Sequence, residues 1–393
     1  MIKKHLTGFY TAMLLLSMFT LAYGGATQGF FLSNFIEKYN LTASSQGLPL
    51  MLQNAFSVAA IILMMLMAGR IKKHTAVLTA LLFSCTAMLG LSLVPPFAVM
   101  SLLYGLFGIA MGIQDTAGGA LMVDIHPESP VRLNDMHFLF GIGNITAPLV
   151  FQFLVSEGVL WNHVFLFVFA VQAVLAAVFL LVVKAGAPGT KSDAETENTG
   201  INIKRIAAFL KADGNIFLFF AMFFYCAHQM GIAAWIRRFF EVEMGSGVLG
   251  TAALSAFWVG TAISRILLPR LGVRPQKQLA YGSALAAIAM LTGILLKNPF
   301  IMVACMAVTG FAGGNTIPHV TYLSCERLKS NTLVATTILF IGMYIGGSMV
   351  SPVIGSVSAR FSLEIGIFIP AAAAVFVAAA GFGFLAHYKN RTH

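Results

Sequence analysis

Twelve times in 393 residues the sequence runs for about 20 residues almost without charge, the length a helix needs to cross the apolar core of a bilayer. Inside lipid every backbone N–H and C=O has to be paired within the chain, so such runs fold as helices. The expected spans are roughly 7–32, 46–69, 75–94, 97–123, 132–156, 161–184, 214–236, 247–269, 276–296, 299–323, 331–356 and 362–386. Composition points the same way: 58% of residues are hydrophobic and 10% charged, where a soluble domain carries about 25% charged residues. The expectation is an all-α membrane protein of twelve transmembrane helices, with no room for a separate soluble domain. The start, Met-Ile-Lys-Lys-His, is similar to a signal peptide's basic region. The apolar run behind it is too long for one and lacks a cleavage-like end, so it reads as a retained first span.

The one long polar segment, 184–200, is rich in Gly, Ser, Thr and charge and reads as a linker. The basic, amphipathic stretch 203–211 behind it suits an anionic membrane surface. The expected division is a six-helix half over 1–184, a cytoplasmic linker over 185–203 and a second six-helix half over 204–393. With both termini inside, 19 of the 24 Lys and Arg residues face the cytoplasm and five face outward. This follows the rule that cytoplasmic loops are rich in Lys and Arg. It places both termini in the cytoplasm, in what reads as a bacterial inner membrane. It also accounts for the net charge of +10 without a nucleic-acid partner. Cys85, Cys226, Cys305 and Cys325 lie in or beside apolar runs with no metal-ligand spacing, so neither disulfides nor a bound metal is expected. There is no nucleophile–base pairing or phosphate-binding loop, so no enzyme and no cofactor is expected. The bilayer is the expected surrounding partner, and the chain is expected to be a monomer.

The two halves repeat. Gly108-x-x-x-Gly112 in span four matches Gly310-x-x-x-Gly314 in span ten, and Asp124 matches Glu326. Gly143 to Pro148 in span five matches Gly347 to Pro352 in span eleven, and Thr27-Gln28 matches His228-Gln229. Four pairs in order, at nearly constant offset, describe two six-helix halves repeated in parallel. In transporters built from such repeats the solute binds near the midplane, and one half rocks on the other.

One residue in span four is out of keeping with its surroundings. Asp115 lies 18 or 19 residues past Pro96, about 28 Å along a helix. A carboxylate there costs several kcal/mol unless it is paired, hydrated or protonated. A polar cavity of low dielectric suits reversible protonation, so Asp115 is a candidate for both proton coupling and substrate binding; the alternative is a packing carboxylate paired with His137 or Arg265. His228 and His319 are further proton-coupling candidates, because histidine titrates near neutral pH; a satisfied neutral histidine between helices is the plainer reading. Gln28, Gln114, Asn144, Tyr225, His228, Gln229 and Asn315 are candidates for binding solute, since amides and hydroxyls bind hydroxyl groups without changing charge. Interhelical hydrogen bonds would use the same groups. His137 is a further candidate, with packing or gating as its alternative. Trp235, Tyr225 and Trp258 could stack on a sugar ring. Arg70, Asp124, Arg265 and Glu326 are candidates for gating by ion pairs that form and break. Arg237, Arg238, Glu241 and Glu243 read as a solvated loop after span seven that could steer an anion.

Several stretches together carry a family resemblance. Gly112-Ile-Gln-Asp-Thr-Ala117, Arg132-Leu-Asn-Asp-Met-His-Phe-Leu-Phe-Gly-Ile-Gly143, Tyr225-Cys-Ala-His-Gln-Met-Gly-Ile-Ala-Ala-Trp235 and Phe257-Trp-Val-Gly-Thr-Ala-Ile-Ser-Arg265 are similar to runs in the major facilitator superfamily (MFS). Within it they resemble the fucose-permease-like sugar/proton symporter group. The resemblance implies the MFS fold and transport of a small polar solute, a sugar or sugar-like compound, by alternating access with proton coupling. The chain departs from that pattern at two acids: one falls near Gly29, beside Gln28, and the other is Gln229. Asp115 is the acid left among the three positions. The basic loop 68–74, with Arg70, resembles the superfamily's cytoplasmic loop without its aspartate. The alternatives are an exporter or uncoupled facilitator of another metabolite, or a transporter-like receptor.

Overall fold

A computed structural model describes residues 2–42, 45–67, 71–126, 131–186, 210, 214–327 and 332–389. Arg70, the 187–203 part of the linker and all of the amphipathic stretch 203–211 except Leu210 lie outside these residues, and the side chain of Glu326 is not among those described. The described chain is helical, with no strand among the described residues. Its helices are α1 (Ile2–Phe30), α2 (Leu32–Tyr39), α3 (Leu48–Leu66), α4 (Lys73–Ser92), α5 (Phe97–Ile113), α6 (Gly119–Ile125), α7 (Val131–Ser156), α8 (Trp161–Ala185), α9 (Asn215–Glu243), α10 (Gly247–Arg270), α11 (Ser283–Leu296), α12 (Pro299–Gly313), α13 (Thr316–Arg327), α14 (Thr332–Arg360) and α15 (Phe368–Lys389). Eleven of the spans they form are long and apolar enough to cross a membrane, and Leu48–Met64 is a shorter apolar helix.

Most span boundaries fall within a few residues of expectation. Span seven is the exception: α9 runs on to Glu243. At 29 residues it measures about 44 Å, longer than the ~30 Å apolar core of a bilayer. Arg237, Arg238, Glu241 and Glu243 therefore sit on the last turns of a helix and not in a loop. Charge ended the expected span at 236, but charge does not end a helix that has tertiary partners.

Spans four and ten are each built of two pieces. α5 passes into a π-helical turn, Gln114–Gly118, before α6. α12 ends at Gly313 and α13 begins at Thr316, with a turn at Gly314-Asn315 between them. The first departure begins after Gly112 and the second at Gly314, the last glycines of the matched Gly-x-x-x-Gly pairs, and a third, the π-turn Gln278–Gly282, opens span nine.

By contact the chain forms two compact units, Met1–Phe31 with Leu52–Thr199 and Leu32–Met51 with Gly200–His393. The expected halves are continuous in sequence, whereas the units exchange one stretch: Leu32–Met51 packs within the second. Tyr10, Leu14, Leu121 and Phe179, all at 0% exposure, centre the first unit's core, and Leu218, Met222, Leu339 and Phe384, also at 0%, centre the second's. Large apolar side chains such as Phe9, Leu63, Leu93, Leu181 and Phe300 are exposed, as a lipid-facing surface requires. Apolar burial drives little helix association when the surrounding solvent is itself apolar, so close packing and interhelical hydrogen bonds have to supply it.

Glycine and hydroxyl side chains supply both. A Cβ at Gly108 would overlap the Gln53 carbonyl of α3, and one at Gly310 would overlap the Phe257 carbonyl of α10. Beside the first contact Ser57 Oγ donates to the Gly108 carbonyl at 2.8 Å, and beside the second Thr261 Oγ1 donates to the Gly310 carbonyl at 3.3 Å. The same arrangement thus occurs once in each unit. A second repeated contact corrects the register of one expected pair. Gly143 abuts the Phe19 carbonyl of α1, and its counterpart against the Phe223 carbonyl of α9 is Gly346, one residue before the expected Gly347.

Gly108→Ala and Gly310→Ala are each expected to destabilise the protein by about 1–3 kcal/mol through overpacking. Gly141→Ala, where an added Cβ meets nothing within 4 Å, is the matched control and should not lower stability. Thermal unfolding of the three purified variants in detergent measures the difference.

Candidate functional site

Asp115 is half-buried in the π-helical turn of span four. A π-turn inserts one residue into the helical repeat, and such insertions occur mostly at functional sites. Gln114, beside it, faces elsewhere: its Nε2 donates to Ser17 Oγ of α1 at 2.7 Å, and it is fully buried. Thr116 is satisfied locally, donating to the Gly112 carbonyl at 2.8 Å. The motif Gln-Asp-Thr therefore holds an interhelical bond, an acid and a backbone-bonded hydroxyl in succession.

The other candidates in the first unit fall into distinct settings. Gln28 is buried, and its Nε2 has no hydrogen-bond partner. Its neighbour Thr27 lies 3.0 Å from the Tyr104 hydroxyl of α5, so α1 and α5 share a polar contact at this level. Asn144 is buried and donates to the Phe140 carbonyl one turn earlier at 2.9 Å. His137 is exposed on α7. Neither Asp115 nor His137 is free of partners. Asp124, near the end of α6, pairs with Lys73 at the start of α4 at 2.7 Å, with each side chain about a quarter exposed. Two residues further on, just past α6, His126 Nε2 lies 2.6 Å from Thr11 Oγ1 of α1.

In the second unit Tyr225, His228 and Gln229 occupy adjoining positions of α9, all buried. Gln229 Nε2 donates to the Tyr225 hydroxyl at 3.4 Å. His228 Nδ1 is 2.7 Å from the Pro370 carbonyl. A carbonyl oxygen only accepts, so Nδ1 carries the hydrogen and Nε2 is left as an acceptor. That Nε2 is buried without a partner. The arrangement fixes His228 as a bridge from α9 to α15. Arg265 Nε donates to the Gly314 carbonyl at 3.1 Å, in the turn that interrupts span ten. Asn315, in the same turn, donates to the Ser264 carbonyl at 2.9 Å and to Ser264 Oγ at 3.2 Å. Residues of α10 thus hold the broken segment of span ten in place. His319 is half-buried, with an unpartnered buried Nδ1. Trp235 is fully buried and donates its indole N–H to Ser351 Oγ of α14 at 2.8 Å, which binds it to a helix partner, and Trp258 is buried beside Phe257.

Sequence reasoning passed over Gln53 and Asn54. Both are buried in α3, and Gln53 Oε1 has no partner. The signal was present: two adjacent amides in the shortest apolar helix. Among the described residues no group of three or more His, Cys, Asp and Glu side chains could hold a metal ion.

The chain is similar to several known proteins. It is 22% identical over 260 residues to a protein TsgA homolog of Buchnera aphidicola subsp. Schizaphis graminum, a match that spans 63% of each chain. Its fold superposes on the Escherichia coli fucose:proton symporter FucP with a TM-score of 0.66 at 18% identity, covering 95% of this chain and 97% of that one. It superposes on a peptide transporter, POT, solved with sulfate, with a TM-score of 0.75 at 14% identity, covering 97% and 94%. At these identities the structural matches show the fold. The Major Facilitator Superfamily model matches residues 14–352, and with its apolar helices this chain belongs to that superfamily as an integral, multi-pass membrane protein with the transporter fold.

Proposed function

We propose that the chain is a secondary active transporter that moves a small polar solute, a sugar or sugar-like compound, together with protons by alternating access. The observation that carries this reading is Asp115, a half-buried acid in a π-turn of an otherwise apolar span. An acid inside the membrane is expensive and marks an ion or substrate pathway. Buried amides with free hydrogen-bonding capacity, Gln28 Nε2 and Gln53 Oε1, suit a solute rich in hydroxyls. With Asn144, Tyr225, Gln229 and Asn315 they form the proposed set of binding groups, to which His137 is added from the span-five pattern. The structural likeness to a fucose:proton symporter supports the sugar class and the coupling ion.

Protonation is assigned first to Asp115. His319, half-buried with an unpartnered Nδ1, is the second proton group. His228 is better suited to joining helices, because its Nδ1 is held by the Pro370 carbonyl of α15. Gln114 is likewise given to packing, through Ser17. Asp124 with Lys73, Arg265 with the span-ten turn, and their counterparts Arg70 and Glu326 are proposed as groups that stabilise one closed state. The halves are 1–184 and 204–393, and the membrane is a bacterial cytoplasmic membrane with both termini inside. A second reading, an uncoupled facilitator or an exporter, draws on Gly29 and Gln229, which stand where the symporter pattern has acids.

Coupling is tested in proteoliposomes. An inward proton gradient of one pH unit should support about tenfold accumulation at one proton per solute, since one pH unit corresponds to ~1.36 kcal/mol. Asp115→Asn should abolish that accumulation and keep counterflow exchange. A variant that still concentrates solute removes Asp115 from the coupling role, and an unmodified chain that only equilibrates solute under the gradient supports the uncoupled reading.

The solute class is tested by thermal unfolding of the purified protein against sugars, amino acids and organic acids. A sugar present at 100 times its Kd should stabilise the fold by about 2.7 kcal/mol. Stabilisation by organic acids or amino acids alone would overturn the sugar assignment.

A further inference from the structure

A π-turn is rare inside an α-helix, and in span four the residues of the turn itself hold it. Gln114 opens the turn and is fully buried; its Nε2 donates to Ser17 Oγ of α1 at 2.7 Å. Ser17 is fully buried too and donates its own hydrogen to the Leu14 carbonyl at 2.7 Å. The bond is thus one link of a directed chain, amide to hydroxyl to carbonyl, that ends on the backbone of another helix. Thr116 Oγ1 lies 2.8 Å from the Gly112 carbonyl and 3.2 Å from the Ile113 carbonyl, where the change of helical repeat leaves backbone acceptors over. Gly118 closes the turn and supplies space. A Cβ there would lie 2.7 Å from Gln114 Nε2, so the amide lies where a side chain at 118 would begin.

The π-turn of span nine, Gln278–Gly282, has the same two ends. A Cβ at Gly282 would lie 3.4 Å from Gln278 Cγ, so glutamine again runs over the glycine. Gln278 is buried, and neither polar atom of its amide has a partner. The residues it encloses are Leu279, Ala280 and Tyr281, none of them an acid. Gln-x-x-x-Gly therefore frames a π-turn in both spans. The bond from the glutamine to another helix belongs to the turn that encloses Asp115.

We propose that Gln114, through Ser17 and the space at Gly118, is a positioning residue for Asp115, fixing the direction in which the turn presents the carboxyl. The proposal rests on the reading of Asp115 as the coupling acid, and it deepens that reading. Gln114 and Asp115 are consecutive on one turn, so whatever fixes the first fixes the second. Loss of the bond to α1 frees the turn to relax toward the α-repeat, which swings the carboxyl away from the place where it exchanges its proton. Gln114 needs no contact with proton or solute for this. Its packing bond and its effect on the acid are one interaction.

The test reads the carboxyl directly and does not need transport. A hydrophobic carbodiimide reacts with protonated carboxyls in membranes, and mass spectrometry of the full chain's peptides gives the extent of reaction at Asp115 as a function of pH. Gln114→Ala and Gly118→Ala should each change the rate at Asp115 by about tenfold and move its pH midpoint by about one unit. In a Gln114→Ala chain Gly118→Ala should add nothing, because the new methyl takes the space that the amide has left. Ser17→Ala, which removes one hydroxyl, should give the same change and serves where another variant is not monodisperse. Variants that lower thermal stability and leave the Asp115 profile in place overturn the proposal. So does an Asp115 that the reagent reaches in none of the chains. In proteoliposomes Gln114→Ala should lower proton-driven accumulation about tenfold more than counterflow exchange, and an equal fall of both counts against positioning. An unmodified chain in which the Asp115 profile depends on Gln114, but which concentrates no solute, overturns the coupling reading alone and leaves the positioning of the carboxyl standing.

Discussion

The contact on which both units depend is a helix laid against another with no side chain between them. At Gly108 and at Gly310 the backbone of a broken span meets the carbonyl edge of its neighbour, and a hydroxyl, Ser57 or Thr261, bonds across the contact. In lipid the apolar side chains gain little by leaving one hydrocarbon surrounding for another, so dispersion at close range and a few interhelical hydrogen bonds have to hold the helices. Gly supplies the range and Ser or Thr the bond. The residues just beyond these contacts can then leave α-geometry, because the span is already anchored: Gln114–Gly118 as a π-turn in one unit and Gly314-Asn315 as a turn in the other.

That division explains what could be read from the chain. The spans were legible because the bilayer imposes length and apolarity on each one, and the repeat was legible because the glycines that set close packing cannot be replaced by larger residues. The register between Gly143 and its partner was missed by one residue, since Gly346 and Gly347 are indistinguishable until a carbonyl is seen against one of them. The continuation of α9 to Glu243 was missed because Arg237 and Arg238 look like the end of a span, and only their partners show why the helix goes on. For the site, the acid of span four could be picked out by its cost. The direction in which Gln114 or His228 points could not, because that depends on which neighbouring helix carries Ser17 or the Pro370 carbonyl.

The amides and hydroxyls buried in these helices share one property: most are tied to a helix neighbour, and a few are not. Trp235 is committed to Ser351, whereas Gln28, Gln53 and Gln114 each keep an open donor or acceptor. In a medium that offers no water, uncommitted amides are a more selective marker of a place for solute than polarity alone. They also set a chemical preference: neutral hydrogen-bonding groups favour a neutral, hydroxylated ligand over a charged one, which leaves Asp115 to handle the proton.

The π-turn at Gln114–Gly118 has an effect beyond its own length. One inserted residue offsets the phase of everything after it by about 100°. Asp115 and Asp124 are nine positions apart in the sequence, which in an uninterrupted helix would put them on nearly opposite sides. With the extra residue absorbed, they stand about a quarter turn apart. Span four is therefore two helices of different azimuth spliced at an acid. The upper segment is oriented by Gly108 against α3, and the lower by the grip of Lys73 on Asp124. A small rotation of either segment would be taken up at the splice, where it would appear as a change in the surroundings of Asp115.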